Sequence, residues 1–89
     1  MPHVYILRCA DDTLYIGSTN DLMKRLREHN HAKAGAHYTK IRRPVLLVWS
    51  ESCETLSSAR TREAVLKKLT RLEKLELISK YKIRKKTAQ

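Results

Sequence analysis

His3-Val4-Tyr5-Ile6-Leu7-Arg8-Cys9, then Ala10-Asp11-Asp12-Thr13, then Leu14-Tyr15-Ile16-Gly17 is the stretch that decides the fold. The first seven residues are rich in β-branched and aromatic types, which suit a half-buried pleated surface, and they predict a strand. Asp11, Asp12 and Thr13 carry short side chains that bond back to the local backbone, the chemistry of a turn. Leu14 to Gly17 then predict the returning strand of a hairpin. Loop parity governs the two tyrosines. An odd loop, such as Asp11–Thr13 with Ala10 opposite Leu14, puts Tyr5 and Tyr15 on one face, and an even loop puts them on opposite faces. The sequence leaves both open.

Ser18-Thr19-Asn20-Asp21 offers helix-capping oxygens, with Asp21 placed to favour the positive helix end. A helix is predicted from about 21 to 31, anchored by Leu22 and Leu26. Residues 30–44 have little apolar periodicity and read as a basic loop. Pro44 to Glu51 predict a third strand, whose near-continuous apolar run suggests a central place buried on both faces. A helix follows from Leu56 to Leu69. A last helix starts at Thr70, where Thr70 and Glu73 form a capping box and Leu72, Leu75, Ile78 and Tyr81 form the apolar stripe. The order β-β-α-β-α-α predicts an α/β (α+β) fold, one small sheet covered by helices. Residues 1–80 read as a single domain and residues 81–89 as a basic tail.

Eighty-nine residues hold one domain with a thin core. Two glycines, two prolines and 42% apolar residues exclude collagen-like and fully disordered chains. The longest apolar run, Val45 to Trp49, is far short of the roughly 20 residues that cross a bilayer. Met1-Pro2-His3 shows no secretory pattern, so a soluble cytoplasmic protein is expected. Cys9 and Cys53 lack zinc-site spacing and read as small hydrophobes. Nineteen Lys and Arg against nine Asp and Glu leave a net charge of +10, spread over both halves of the chain. Such a balance suits a polyanionic partner, most often nucleic acid. A solvated basic tail is the plainer reading of the same charge.

Three features look like neither plain core nor plain surface. Tyr5 and Tyr15 sit on adjacent strands, where a lone tyrosine is usually packing. Arg25 and His29, four apart, stack on one stripe of the first helix. Arg25 can hold a phosphate by two parallel hydrogen bonds, and His29 can exchange a proton near neutral pH. The alternative is a solvated basic face. Glu63 interrupts the stripe Leu56, Ala59, Leu66 with a carboxylate, which demands a cation. A salt bridge or a divalent metal would supply it, since Mg²⁺ is often held by one carboxylate, waters and substrate phosphates. Together these residues suit phosphodiester cleavage: an arginine to neutralise the phosphate, a metal on an oxygen, and a tyrosine or histidine to activate water. Tyrosine has an ordinary pKa near 10 and needs nearby positive charge to serve as a base.

Val4-Tyr5-Ile6, Leu14-Tyr15-Ile16-Gly17-Ser18, Asp21-Leu22 with Arg25-Leu26 and His29-Asn30, Arg62-Glu63 and Lys67-Lys68-Leu69 together resemble the GIY-YIG nuclease superfamily, most of all its small stand-alone URI-type members. The likeness is collinear from about residue 3 to 78. It implies a three-stranded antiparallel sheet flanked by helices. It implies that Tyr5 and Tyr15 are the motif tyrosines, that Arg25 stabilises the pentavalent phosphate, and that His29 is the helix histidine. Glu63 would bind a single Mg²⁺ or Mn²⁺ ion, and cleavage would leave 5′-phosphate and 3′-hydroxyl ends. His37 or Tyr38 matches a further polar site residue. His3 stands where the first motif has its leading glycine. The late asparagine and separate DNA-binding domain of larger members have no counterpart here.

The expected activity is divalent-metal-dependent endonuclease cleavage of nucleic acid, with DNA the expected partner and no membrane involved. Contacts run mainly to phosphates and are salt-sensitive. Candidate contacts are Lys24, His37, Tyr38, Lys40, Arg42 and Arg43. The alternatives are a non-catalytic nucleic-acid-binding module and a basic scaffold for an acidic protein. The combined Tyr5, Tyr15, Arg25 and Glu63 favour the enzyme, because a mere binder has no use for a carboxylate facing phosphate.

Overall fold

Val4, Tyr5, Ile6 and Leu7 are four buried residues in a row, the pattern of a strand covered on both faces. In a computed structural model, which describes residues 1–31 and 37–87, they lie in β1 (His3–Arg8), the middle strand of an antiparallel sheet. β2 (Leu14–Thr19) and β3 (Leu46–Ser52) flank it in the order β2-β1-β3. The expectation of a central third strand is therefore corrected: β3 lies at an edge. Its apolar run has another cause. Ile6 faces Trp49 and Leu7 faces Leu47, so Val48 is squeezed out as a bulge. The bulge turns Val48 and Trp49 into the same apolar cluster.

Arg8 pairs with Leu14, leaving residues 9–13 as the hairpin loop. Asp11 Oδ1 accepts bonds from the Thr13 amide (3.2 Å) and hydroxyl (2.6 Å), and Asp12 takes a left-handed φ of 70°. The loop is odd. Tyr5 therefore pairs with Gly17 and Leu7 with Tyr15, so both tyrosines project from one face.

That face carries Tyr5, Leu7, Cys9 and Val45, with Tyr15, Leu47 and the helix residues Leu22 and Leu26 packed against them. Helix α1 (Leu22–His31) covers it, starting where Asp21 Oδ1 caps the Lys24 amide at 3.1 Å. Within the segment expected to be loop lies a one-turn helix, α2 (His37–Lys40). The opposite face carries Val4, Ile6, Ile16, Val48 and Trp49, joined by Leu66 and Ile78. These last two come from α3 (Leu56–Lys67) and α4 (Arg71–Thr87). The Thr70–Glu73 capping box is present, with bonds of 2.9 and 3.2 Å.

The stripe expected on α4 is partly corrected. Leu72 is 73% exposed and Leu75 also faces out, while Leu77, Ile78 and Tyr81 turn inward. The helix runs on to Thr87, through the start of the expected basic tail at 81; the side chains of residues 82–87 lie outside the described residues, as do residues 88 and 89. Cys9 and Cys53 are both free thiols. Among the described residues no helix is long and apolar enough to cross a membrane.

Leu66 is fully buried and seats α3 on the sheet one turn beyond Glu63. Leu66→Ala should destabilise the protein by about 2–5 kcal/mol, read from urea unfolding followed by circular dichroism.

Candidate active site

The Tyr5 ring lies directly over Gly17. A Cβ at position 17 would stand 2.5 Å from the Tyr5 hydroxyl oxygen, 2.7 Å from Cζ and 3.2 Å from Cε1 of Tyr15. Glycine is needed here for close approach, since its φ is not positive. Tyr5 is 2% exposed, and its hydroxyl meets His29 Nε2 at 2.9 Å. The other ring nitrogen, Nδ1, meets the hydroxyl of Thr39 at 2.7 Å. His29 and Thr39 are both fully buried. The Tyr15 ring packs edge-on to the imidazole, with centroids 5.0 Å apart. One helical turn before His29, on the same stripe of α1, Arg25 pairs with Glu28 at 3.2 Å.

Burial dominates the titration of this group. It pushes the Tyr5 phenol up to about 12, helped by Tyr15 and opposed by Arg25. It also pushes His29 down to about 4, reinforced by the charge of Arg25. His29 is fully buried between the hydroxyls of Tyr5 and Thr39, and that burial favours its neutral form.

Glu63 reaches the same neighbourhood from the other layer. It stands on α3, whose face lies against β2 and β1. Ser18, at the end of β2, points toward that helix and donates to Glu63 Oε1 at 2.7 Å. Lys67 lies 2.8 Å from Oε2 and is the cation that the interrupted stripe demanded. Arg62 is instead paired with Glu51 at 3.2 Å. The Glu63 side chain keeps 20% exposure. Partial burial pushes its carboxyl up, but the hydrogen bonds from Lys67 and Ser18 outweigh this and hold it below the ordinary range. Tyr5 feels the charges of Arg25 and Glu63, and Lys67 is coupled to Tyr15. Residues alternate along β2, so the phenols lie on the α1 side of the sheet, while Glu63 and Lys67 lie on the α3 side beside Ser18.

The expected nucleic-acid contacts divide. Lys24 and Lys40 are exposed. Arg42 is paired with Asp11 at 2.9 Å. Arg43 clamps α1: Nε donates to the His29 carbonyl at 2.6 Å and Nη2 to that of Glu28 at 3.1 Å. These are carbonyls in the last turn of α1, and a guanidinium there also offsets the helix dipole. Asn30 exchanges two bonds with Val45 and ties the same turn to the approach to β3. The side chains of His37 and Tyr38 lie outside the described residues. Three participants escaped the sequence reading of the site. Lys67 was signalled by its i,i+4 spacing from Glu63, and Ser18 by its alternation with Ile16. Thr39 gave no signal.

The model of the GIY-YIG catalytic domain matches residues 1–76. The chain belongs to the GIY-YIG family. It is 57% identical over 76 residues to a UPF0213 protein of Syntrophus aciditrophicus, covering 85% of this chain and 87% of that protein. It is 50% identical over 84 residues to one of Clostridium perfringens, covering 94% and 89%. These UPF0213 relatives are small single-domain GIY-YIG proteins. Among solved structures, the UPF0213 protein BH0048 of Bacillus halodurans, solved by solution NMR, is 36% identical with a TM-score of 0.56. The alignment covers 89% of this chain and 84% of that one. The solution NMR structure of EF2693 from E. faecalis is 37% identical with a TM-score of 0.60, covering 91% and 85%. The sheet and helix order of this GIY-YIG chain agrees with that membership.

Gly17→Ala should expel the Tyr5 ring from its seat, at a cost of about 1–3 kcal/mol. Thermal unfolding would show the loss, and the Tyr5 phenol should titrate below its present value of about 12.

Protonation gives a second check. The folded state holds His29 near 4, whereas the unfolded chain takes up the proton near 6.5. The stability contributed by neutral His29 is full above pH 6.5 and is lost as pH falls toward 4. The urea midpoint should drop across that window, and less so in His29→Gln.

Proposed function

We propose that this chain is a divalent-metal-dependent endonuclease domain that hydrolyses phosphodiester bonds in DNA. The observation that carries the reading is geometric. The hairpin register puts Tyr5 and Tyr15 on one face under the helix that carries Arg25 and His29, and Glu63 is held at the end of the same β2 strand. Glu63 comes from the opposite layer of the fold, yet Ser18 ties it to the strand that carries Tyr15. A packing tyrosine needs none of these neighbours.

Arg25 would receive the scissile phosphate. Its planar, permanently charged guanidinium neutralises phosphate through paired hydrogen bonds. Tyr15 is the more open of the two phenols and has Lys67 as a positive neighbour. It is therefore the group to orient the attacking water and, once its own proton has gone to solvent, to take the water's proton as a phenolate. Tyr5 is too buried and too weak an acid to be that base; it fixes the position of Arg25 and the inner wall of the site. His29 acts through Tyr5.

The family implies a single Mg²⁺ or Mn²⁺. The donor chemistry fits: Glu63 is one ionised, partly open carboxylate, and Mg²⁺ is commonly held by one such group with waters and substrate oxygens. When bound by Glu63, the ion would polarise a phosphate oxygen. Lys67 would have to leave Glu63 Oε2, and an incoming phosphate gives it another anion to meet. Lys24 and Lys40 are exposed cations able to hold flanking phosphates.

The test is cleavage of supercoiled plasmid and of branched DNA with Mg²⁺ or Mn²⁺, run beside a binding titration at several salt concentrations. Glu63→Ala should abolish metal-stimulated cleavage while leaving binding nearly intact. Arg25→Lys should lower turnover by roughly 10²–10³-fold, because a point charge cannot reproduce the fork. Retained cleavage in Glu63→Ala removes the acid from the site. Salt-sensitive binding by a wild type that cleaves nothing supports the non-catalytic module instead.

A further inference from the structure

We propose that Thr39 is a positioning residue: its hydroxyl accepts the Nδ1 proton of His29, fixes that imidazole in one tautomer, and so makes Tyr5 donate inward to His29. The inference rests on the reading of Tyr5 as part of the site, and it concerns the direction of a buried chain of hydrogen bonds.

A neutral imidazole has one N–H and one lone pair. Here both nitrogens are engaged, Nε2 with Tyr5 at 2.9 Å and Nδ1 with Thr39 at 2.7 Å. Both partners are hydroxyls, each able to donate or accept, so the chain can run in either direction. In one direction Tyr5 donates to Nε2 and Nδ1–H donates to Thr39. In the other, Thr39 donates to Nδ1 and Nε2–H donates to Tyr5.

Arg25 decides between them. A guanidinium only donates, and Arg25 stands on α1 one helical turn before His29, on the stripe that meets the Tyr5 hydroxyl. In the first direction the phenol hydrogen goes to His29 and the oxygen lone pairs are left for Arg25. The second would make Tyr5 accept from Nε2 and turn its own hydrogen toward a cation. The first is therefore the stable arrangement, and it requires an acceptor beside Nδ1. Thr39 is that acceptor, fully buried on α2. Replacing the hydroxyl by a methyl leaves Nδ1–H buried without its acceptor, a cost of the same kind as any orphaned buried donor. The imidazole then gains by moving its proton to Nε2, and the Tyr5 hydroxyl is reversed. A residue two elements away from the tyrosine hairpin thus sets which end of Tyr5 meets Arg25.

The experiment is ¹⁵N NMR of the histidine ring nitrogens in the full chain at neutral pH, where a protonated and a bare ring nitrogen resonate far apart. The wild type should show His29 protonated on Nδ1 and bare on Nε2. Thr39→Val should move the proton to Nε2, and Thr39→Ser should restore the wild-type pattern. Should Thr39→Val fail to fold, Thr39→Cys, a weak acceptor, should give a mixture of the two tautomers. A wild type protonated on Nε2 overturns the proposal, as does a folded Thr39→Val or Thr39→Cys that keeps the wild-type pattern. None of these spectra requires nucleic acid or cleavage, so they stand or fall apart from the nuclease reading. In the plasmid assay, Thr39→Val should lower turnover by roughly 10–100-fold with unchanged DNA binding, and Thr39→Ser should recover it.

Discussion

A hydrogen bond of 2.9 Å between the Tyr5 hydroxyl and His29, buried in a protein of 89 residues, constrains much of the rest of the molecule. Polar groups enclosed this deeply are tolerated only when each finds a partner. Tyr5 is on the central strand and His29 on the helix that crosses it, so one bond joins the two elements that carry the site. Its geometry leaves no room for a side chain at Gly17 and keeps the hairpin register in place. It also calls for Thr39 behind the imidazole, which draws the one-turn helix α2 against α1.

The two faces of the sheet divide the labour. The tyrosine face encloses neutral groups, because burial raises Tyr5 and depresses His29, while the Arg25–Glu28 ion pair on α1 stays partly open. The acid is kept in the other layer, where Ser18 and Lys67 hold it ionised and partly open. A carboxylate placed beside Tyr5 under α1 would lack solvent and would raise the phenol further. Beside Ser18 and Lys67 the acid is paired and partly open rather than buried alone. Arg43 and Asn30 serve the same end mechanically, since they fasten the last turn of α1 and with it His29.

Much of this could be read from the sequence, for reasons that differ by residue. The hairpin was legible because Asp11 and Thr13 carry turn chemistry, although the parity of the loop needed the register of Arg8 against Leu14. The helix starts were legible because Asp21, Thr70 and Glu73 cap through local bonds. β3 misled because a bulge and a central position both produce an unbroken apolar run. Leu72 and Leu75 misled because helical spacing says nothing about which apolar stripe the sheet will take. The motif residues could be picked out by type and spacing, but their environments could not. His29 looks like a surface histidine on a basic helix until the structure encloses it. Arg43 reads as one more loop cation, and its bonds to the carbonyls of α1 are visible only in the structure. Thr39 sits among cations, and nothing local in its neighbourhood points toward an imidazole ten positions earlier.

The pairing of Glu63 with Lys67 has an electrostatic consequence for any polyanion that drifts toward the β2 edge. A lone carboxylate there would repel such a polyanion. With an ammonium 2.8 Å away, the two charges present themselves at long range as a dipole whose monopole is zero. The repulsion is thereby muted during approach, and the negative end regains its individuality only at contact distances, where chemistry rather than diffusion is at stake.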